Sequence, residues 1–216
     1  MAARSLPSTE YLNELFYLNE EDSALYWKVR PLHHFVSEHR QRAWNTRFAG
    51  KRAGRVCRDG YICVMLHGRK ISGHRVIHKL RTGEDYTGHL DHKNNCRSDN
   101  TPDNLRKANH SQNKANGTQA PGKSLYRGVF QRSTASYHAY IHMSRIRLYL
   151  GAWPTPEFAH ATYCLADMHF HKEFANFGPN SCFPTFKLTP EFVKKARYWI
   201  ERAEQKLAHK KSTTGD

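Results

Sequence analysis

Gly88-His-Leu-Asp-His-Lys-Asn-Asn-Cys-Arg-Ser-Asp-Asn-Thr-Pro-Asp-Asn-Leu-Arg-Lys-Ala-Asn-His-Ser-Gln-Asn-Lys-Ala-Asn116 is the densest polar stretch of the chain. Asp91 and His92 follow Leu90 and so fall at the end of a short strand. An Asn- and Asp-rich loop leads to Asp103-Asn-Leu-Arg106, and a helix is predicted from about Ser111. Strand, loop, strand and helix in that order bring Asp91, His92, Asn104 and Asn113 to one wall. Such a wall has the parts that phosphodiester hydrolysis requires. A hard cation, Mg²⁺ or Mn²⁺, takes oxygen ligands, here the Asp91 carboxylate and the Asn113 carbonyl. A neutral histidine, His92, removes a proton from water, and Asn104 orients it. The plainer alternative is a polar connection, because Asn and Asp also favour turns.

Upstream, residues 8–18 place Leu12, Leu15 and Phe16 on one helical face after a Ser/Thr cap, and Ala24–Val29 reads as a strand ended by Pro31. Residues 31–50 show no period and read as loop. Arg55–Cys57, Asp59-Gly60, Tyr61–Leu66, His67-Gly68 and Arg69–Ser72 read as consecutive hairpins. A helix is expected from about His74 to Arg81, stopped by Gly83. Downstream, Gly117–Lys123 reads as a linker. Three strand-like runs follow at 126–131, 137–142 and 145–150, then two helices opened by Thr155-Pro-Glu and Thr189-Pro-Glu. The second of these helices buries Phe192, Ala196, Trp199, Ile200, Ala203 and Leu207 at helical spacing. Its other face carries Lys194 and Arg197 among five bases, a face either solvated or in contact with phosphate.

Charge narrows the partner. Lys and Arg number 34 against 19 acids, a net of +15, and residues 31–216 carry +17 because the first thirty are net −2. A surplus of that size concentrates polyanions, nucleic acid first among them. Charge alone does not separate DNA from RNA, and no aromatic RNP pair or GXXG loop is found. An apolar share of 38% supports small cores and excludes a wholly disordered chain. No apolar run approaches a membrane span, and the first residues lack a signal-peptide core, so a soluble, non-secreted protein with no membrane partner is expected. Five cysteines without a C-x-x-C pair are expected as free thiols.

The central segment resembles the HNH nucleases, in particular the phage and intron-encoded homing endonucleases whose third motif residue is Asn. The pattern D-H…N-L-R…N-x-x-N matches Asp91-His92, Asn104-Leu105-Arg106 and Asn113–Asn116. Gly73-His-Arg-Val-Ile-His followed by Gly83 is similar to that branch's H-R-L-V-W…G lead-in, and residues 12–31 and 54–72 are similar to its N-terminal region. The resemblance implies His92 as general base, Asp91 and Asn113 as metal ligands, and Asn104 as the brace of a ββα-metal fold. His110 also competes for the third position, which the family's spacing gives to Asn113. His74 and Arg75, in the lead-in, are candidate phosphate contacts, with helix packing the other role open to His74.

Ser124-Leu-Tyr-Arg-Gly-Val129, Tyr137-His-Ala-Tyr-Ile141, Leu148-Tyr-Leu-Gly-Ala-Trp153, Thr155-Pro-Glu-Phe-Ala159 and Glu173-Phe-Ala-Asn-Phe177 form an ordered series. It resembles the Apetala-two/ethylene-response-factor DNA-binding domain. A three-stranded antiparallel sheet on one helix buries Val129, Ile141, Leu148 and Leu150. The opposite face is then expected to carry Arg127, Arg132, Tyr137, Arg145, Arg147 and Tyr149 toward a major groove. The chain departs from that family at Tyr137, usually Trp, and at Phe130, often Arg, so sequence preference does not carry over.

The expectation is an α+β chain in four parts: an N-terminal region (1–53), an HNH module (54–117), an Apetala-two-type domain (118–180) and a basic C-terminal helix (181–216). Its expected function is a metal-dependent DNA endonuclease cutting one strand of double-stranded DNA per active site. The alternative is a non-catalytic DNA-binding regulator on an HNH scaffold. A monomer is favoured, and the resemblance implies the cytoplasm of an infected host cell.

Overall fold

The computed structural model describes residues 5–117, 125–143, 145–178, 180–183 and 185–214. All of the expected linker except Gly117 lies outside them. The chain is α+β and divides into two compact units, 1–109 and 110–216. No helix among the described residues is long and apolar enough to cross a membrane.

The first unit begins with α1 (Thr9–Leu15), where the Ser8 hydroxyl accepts from the Tyr11 amide. The helix stops earlier than the predicted 18 because β1 (Phe16–Asn19) pairs antiparallel with β2 (Ala24–Trp27). Cross-strand aromatic pairs, Phe16–Trp27 at 4.6 Å and Tyr17–Tyr26 at 5.2 Å, favour the extended form. The expected loop at 31–50 is corrected. It contains a one-turn 3-10 helix (Leu32–His34) and α2 (Glu38–Phe48), capped by Ser37. This helix buries no residue, so it leaves no apolar period to read.

β3 (Arg55–Val56), β4 (Ile62–Leu66) and β5 (Arg69–Ser72) form the expected hairpins. His67 and Gly68 both have positive φ (49° and 73°), the two-residue turn that suits twisted strands. α3 (Gly73–Thr82) ends at Gly83 in the left-handed region. Leu12, Leu15, Phe16, Leu25, Val64, Val76 and Ile77 make one core, so residues 1–53 share a core with the hairpins instead of standing apart. Each such side chain contributes about 1.5–3 kcal/mol by its burial. β6 (His89–His92) and β7 (Leu105–Ala108) close the unit as an antiparallel pair.

The second unit starts with α4 (His110–Asn116), which the motif spacing had placed in the nuclease module. Its last carbonyls are satisfied from this unit: Asn176 Nδ2 donates to Asn116 O (2.7 Å) and Arg127 to Ala115 O (2.8 Å). β8 (Val129–Ser133), β9 (Ser136–Met143) and β10 (Ile146–Trp153) form a sheet in the order β10-β9-β8. β8 starts three residues later than predicted. Gly128 takes φ +77°, and a Cβ there would lie 2.1 Å from the Tyr163 ring. α5 (Pro156–His171), capped by Thr155, covers one sheet face, and α6 (Pro190–Thr214) runs beside β10. Phe192, Ala196, Ile200, Ala203 and Leu207 of α6 join the core of Val129, Ile141, Leu148 and Leu150, so the C-terminal helix belongs to this unit.

Candidate active site and nucleic-acid surfaces

The β6–β7 register sets Asp91 opposite Arg106 and His92 opposite Leu105. Arg106 Nε donates to Asp91 Oδ2 at 2.8 Å, with Asp91 buried and Arg106 half-buried. His92, 4% exposed, has its Nε2 at 3.1 Å from Asn100 Oδ1. The loop between the strands is a hydrogen-bonded frame. Asn104 Nδ2 donates to Asp99 O (2.7 Å), and its Oδ1 accepts from the Asn94 amide (2.9 Å). Its backbone carbonyl accepts from the Lys93 amide (2.8 Å). Asn94 Nδ2 reaches Asp99 Oδ2 (2.7 Å), and hydrogen bonds from Thr101 hold the Asp99 carboxyl below its usual range.

Asn104 therefore closes the loop, and the side chain on His92 is Asn100, a residue without a role in the sequence-based expectation. Nothing in the pattern marked Asn100 apart from its Asn-rich neighbours. Asn113 is half-buried on α4, in the second unit, whereas Asp91, His92 and Asn104 are in the first.

His74 and Arg75, expected as candidate phosphate contacts, are both largely enclosed, and His74 takes the packing position also open to it. His74 is 9% exposed, its ring 5.3 Å from that of His92 and 5.3 Å from Tyr61. Its Nδ1 has no hydrogen-bond partner among the described residues. Burial, then the neighbouring His92 and Arg75, push its pKa down to about 4. Arg75 Nη2 pairs with Asp85 at 2.8 Å and is largely enclosed. His74 is turned toward Tyr61 and His92, and Arg75 toward Asp85.

The Asp91 carboxylate is a hard donor of the kind Mg²⁺ prefers. An arginine on Oδ2 is compatible with a cation on the other oxygen, since each carboxylate oxygen has two lone pairs, although it weakens the attraction. Among the described residues a second group, Glu14, His33 and His34, brings donor atoms within 4.8 Å of one another. Arg30 Nε donates to His34 Nδ1 (3.2 Å), and its guanidinium is fixed over Phe35 and Trp44 (4.9 and 4.8 Å). Neutral His34 then carries its proton on Nε2 and donates it to Glu14 Oε2 at 2.8 Å. A metal on Nε2 needs the other tautomer, so this trio is a hydrogen-bonded tie between α1 and the 3-10 turn.

In the second unit the outer sheet face carries Phe130, Arg132, His138, Tyr140, Arg147 and Tyr149. Tyr140 pairs with Tyr149 across the strands. The Arg147 guanidinium lies 3.7 Å from the Tyr140 ring centre and 4.4 Å from that of Phe130. Trp199 of α6 borders the row, 5.1 Å from Tyr149. Arg132 is exposed on β8, Arg145 is exposed in the β9–β10 turn, and Lys194 and Arg197 are exposed on α6.

Two expected members of this face are corrected. Tyr137 shares the parity of Ala139 and Ile141 and packs against the core. Arg127 precedes β8 and turns inward, donating to Ala115 O (2.8 Å), Gly117 O (2.9 Å) and Asn176 O (2.9 Å). Tyr140 and His138 take their places on the outer face.

No family model matches the chain, and no curated protein matches it.

Proposed function

We propose that the chain is a metal-dependent DNA endonuclease of the HNH type that hydrolyses phosphodiester bonds, one strand per active site. The carrying observation is the adjacent, buried Asp91–His92 pair at the end of β6, with His92 Nε2 held by Asn100. An acceptor on Nε2–H leaves Nδ1 as the basic nitrogen, and there His92 takes the proton of the attacking water. Asn104 keeps the 93–99 loop closed behind it. Asp91 would hold a divalent cation, Mg²⁺ or Mn²⁺, which neutralises charge developing on the phosphate. Asn113, the second ligand that the resemblance implies, belongs to the other unit. Arg132, Arg145 and Arg147, with Lys194 and Arg197, supply the basic surface for double-stranded DNA.

Incubation of the full chain with supercoiled plasmid and with genomic DNA tests this reading, in Mg²⁺, in EDTA and as His92→Ala. Nicking that needs the metal and disappears in His92→Ala is expected. Cleavage that survives His92→Ala sinks the assignment.

The second reading, a DNA-binding regulator on the same scaffold, is favoured by the Arg106–Asp91 ion pair, which satisfies the carboxylate without any metal. Tight duplex binding with no cleavage in Mg²⁺ or Mn²⁺ would select it.

A further inference from the structure

We propose that the exposed side of α2 together with residues 51–58 is a second binding surface for the phosphate backbone of duplex DNA. The proposal rests on the DNA-binding part of the reading above, and not on catalysis. Between His39 and Arg58 the chain has seven bases (Arg40, Arg42, Arg47, Lys51, Arg52, Arg55 and Arg58) and no acid. All seven are exposed. Only Arg42 is in an ion pair among the described residues, with Glu38 at 2.7 Å.

A helix that serves only to solvate itself mixes charge signs and pairs them at i,i+4. α2 does this once. It buries no residue, so the core does not account for its presence either. Gln41, Trp44, Asn45 and Phe48 make its inner side, and Arg40 and Arg47, seven residues apart, share one outer flank about 10 Å long.

The strip is rigidly mounted. Gln41 and Asn45 amides donate to Arg30 O (both 3.0 Å), and Trp44 meets Trp27 edge-on at 5.1 Å. Residues 50–53 run along β2, with Trp27 N donating to Lys51 O (2.9 Å) and Ala53 N to Leu25 O (2.6 Å). Arg55 is then fixed by pairing with Cys63. Fixed cations meet a polyanion without the entropic cost of ordering their backbone. Duplex DNA, with a charge about every 1.7 Å of axis, is the partner that matches a strip of exposed cations whose one acid, Glu38, is already paired with Arg42. The strip ends near the candidate site: Arg97 donates to Asp59 O (2.9 Å) and lies 5.0 Å over Tyr61, whose ring is 5.7 Å from that of His92.

The test is duplex binding by the full chain in EDTA, followed by anisotropy over a range of salt. The strip variant is Arg40→Gln, Arg47→Gln, Arg52→Gln and Arg55→Gln. The charge-matched control is Lys172→Gln, Lys187→Gln, Lys210→Gln and Lys211→Gln, all exposed and outside both basic surfaces. Each phosphate that is no longer neutralised lowers the salt slope by about 0.9 and the affinity roughly eight-fold at about 0.1 M salt. The strip variant is expected to leave about two to four phosphates without their cation, weakening binding about 60- to 4,000-fold, and the control to weaken it less than about ten-fold. Equal weakening in the two, or none in the strip variant, overturns the proposal. Should the quadruple variant fail to fold, the single changes Arg40→Gln and Arg55→Gln each have to lower the slope by about 0.9 for the proposal to stand. Binding is read without turnover, so DNA that is bound through the strip and never cut would overturn the nuclease reading alone.

Discussion

Asn100 Oδ1 sits 3.1 Å from Nε2 of His92, and both side chains are buried. An amide oxygen there selects the Nε2–H tautomer and leaves Nδ1 as the basic nitrogen, which a general base must have fixed before water arrives. Asn104, four residues on, holds the loop and not the ring.

On the proposed nuclease reading, replacing Asn100 by Ala is expected to lower DNA cleavage about 10–100-fold, less than the 10²–10⁴-fold that a general base is worth. Imidazole ¹⁵N shifts of His92 should move from one tautomer toward a mixture. A structural role alone would lower the unfolding midpoint and leave the tautomer unchanged in the folded fraction, and that outcome sinks the positioning role.

Arg127 gives the opposite prediction from its sequence-based assignment. Its guanidinium spans the carbonyls of Ala115, Gly117 and Asn176. A lysine ammonium does not reach three acceptors in that fork. Arg127→Lys is expected to destabilise the second unit by about 2–4 kcal/mol and to leave duplex affinity of the folded protein within about two-fold. Urea unfolding and anisotropy on the same preparation decide it. Unchanged stability with weakened affinity would return Arg127 to the interface.

Residues that act on their immediate neighbours were the legible ones. Asp59-Gly60 and His67-Gly68 punctuate the hairpins, and Thr155-Pro-Glu caps α5, because turns and caps are decided by residues next to one another. α2 is not legible because a helix without a buried side has no period. Tyr137 falls on the wrong face in the sequence-based assignment, although counting back by twos from Ile141 puts it inside. Asn100 and Asn104 are not separable in the sequence, since which of two nearby amides meets His92 depends on how the 93–104 loop closes.

On the outer sheet face, the Arg147 guanidinium lies 3.7 Å from the Tyr140 ring centre and 4.4 Å from that of Phe130. At this exposed site the cation–π contact is worth about 0.5–1 kcal/mol and holds the guanidinium in place. Arg147→Ala is expected to weaken duplex binding about ten-fold while costing less than about 1 kcal/mol of stability. Arg147→Lys restores charge without the plane, so it should recover non-specific affinity and not discrimination between sequences. A large drop in stability with affinity intact would make the row a cross-strand ladder only.

His74 supplies the pH prediction. Its pKa falls from 6.5 to about 4 in the folded chain, chiefly through burial. The unfolded chain therefore binds the proton first. The stabilisation is complete above pH 6.5 and is lost as pH falls toward 4, amounting to about 3 kcal/mol. His34 and His160 are also lowered by burial and act in the same direction, so the informative quantity is the difference between wild type and His74→Phe. Phenylalanine keeps the ring beside Tyr61 and His92 and removes the buried, unpartnered Nδ1. It should equal wild type in stability near neutral pH and lose up to about 3 kcal/mol less on acidification. Urea midpoints at several pH values measure this directly. Parallel loss in the two proteins would mean that His74 is reached by water in the folded chain, and its contact with His92 would then be looser than 5.3 Å implies.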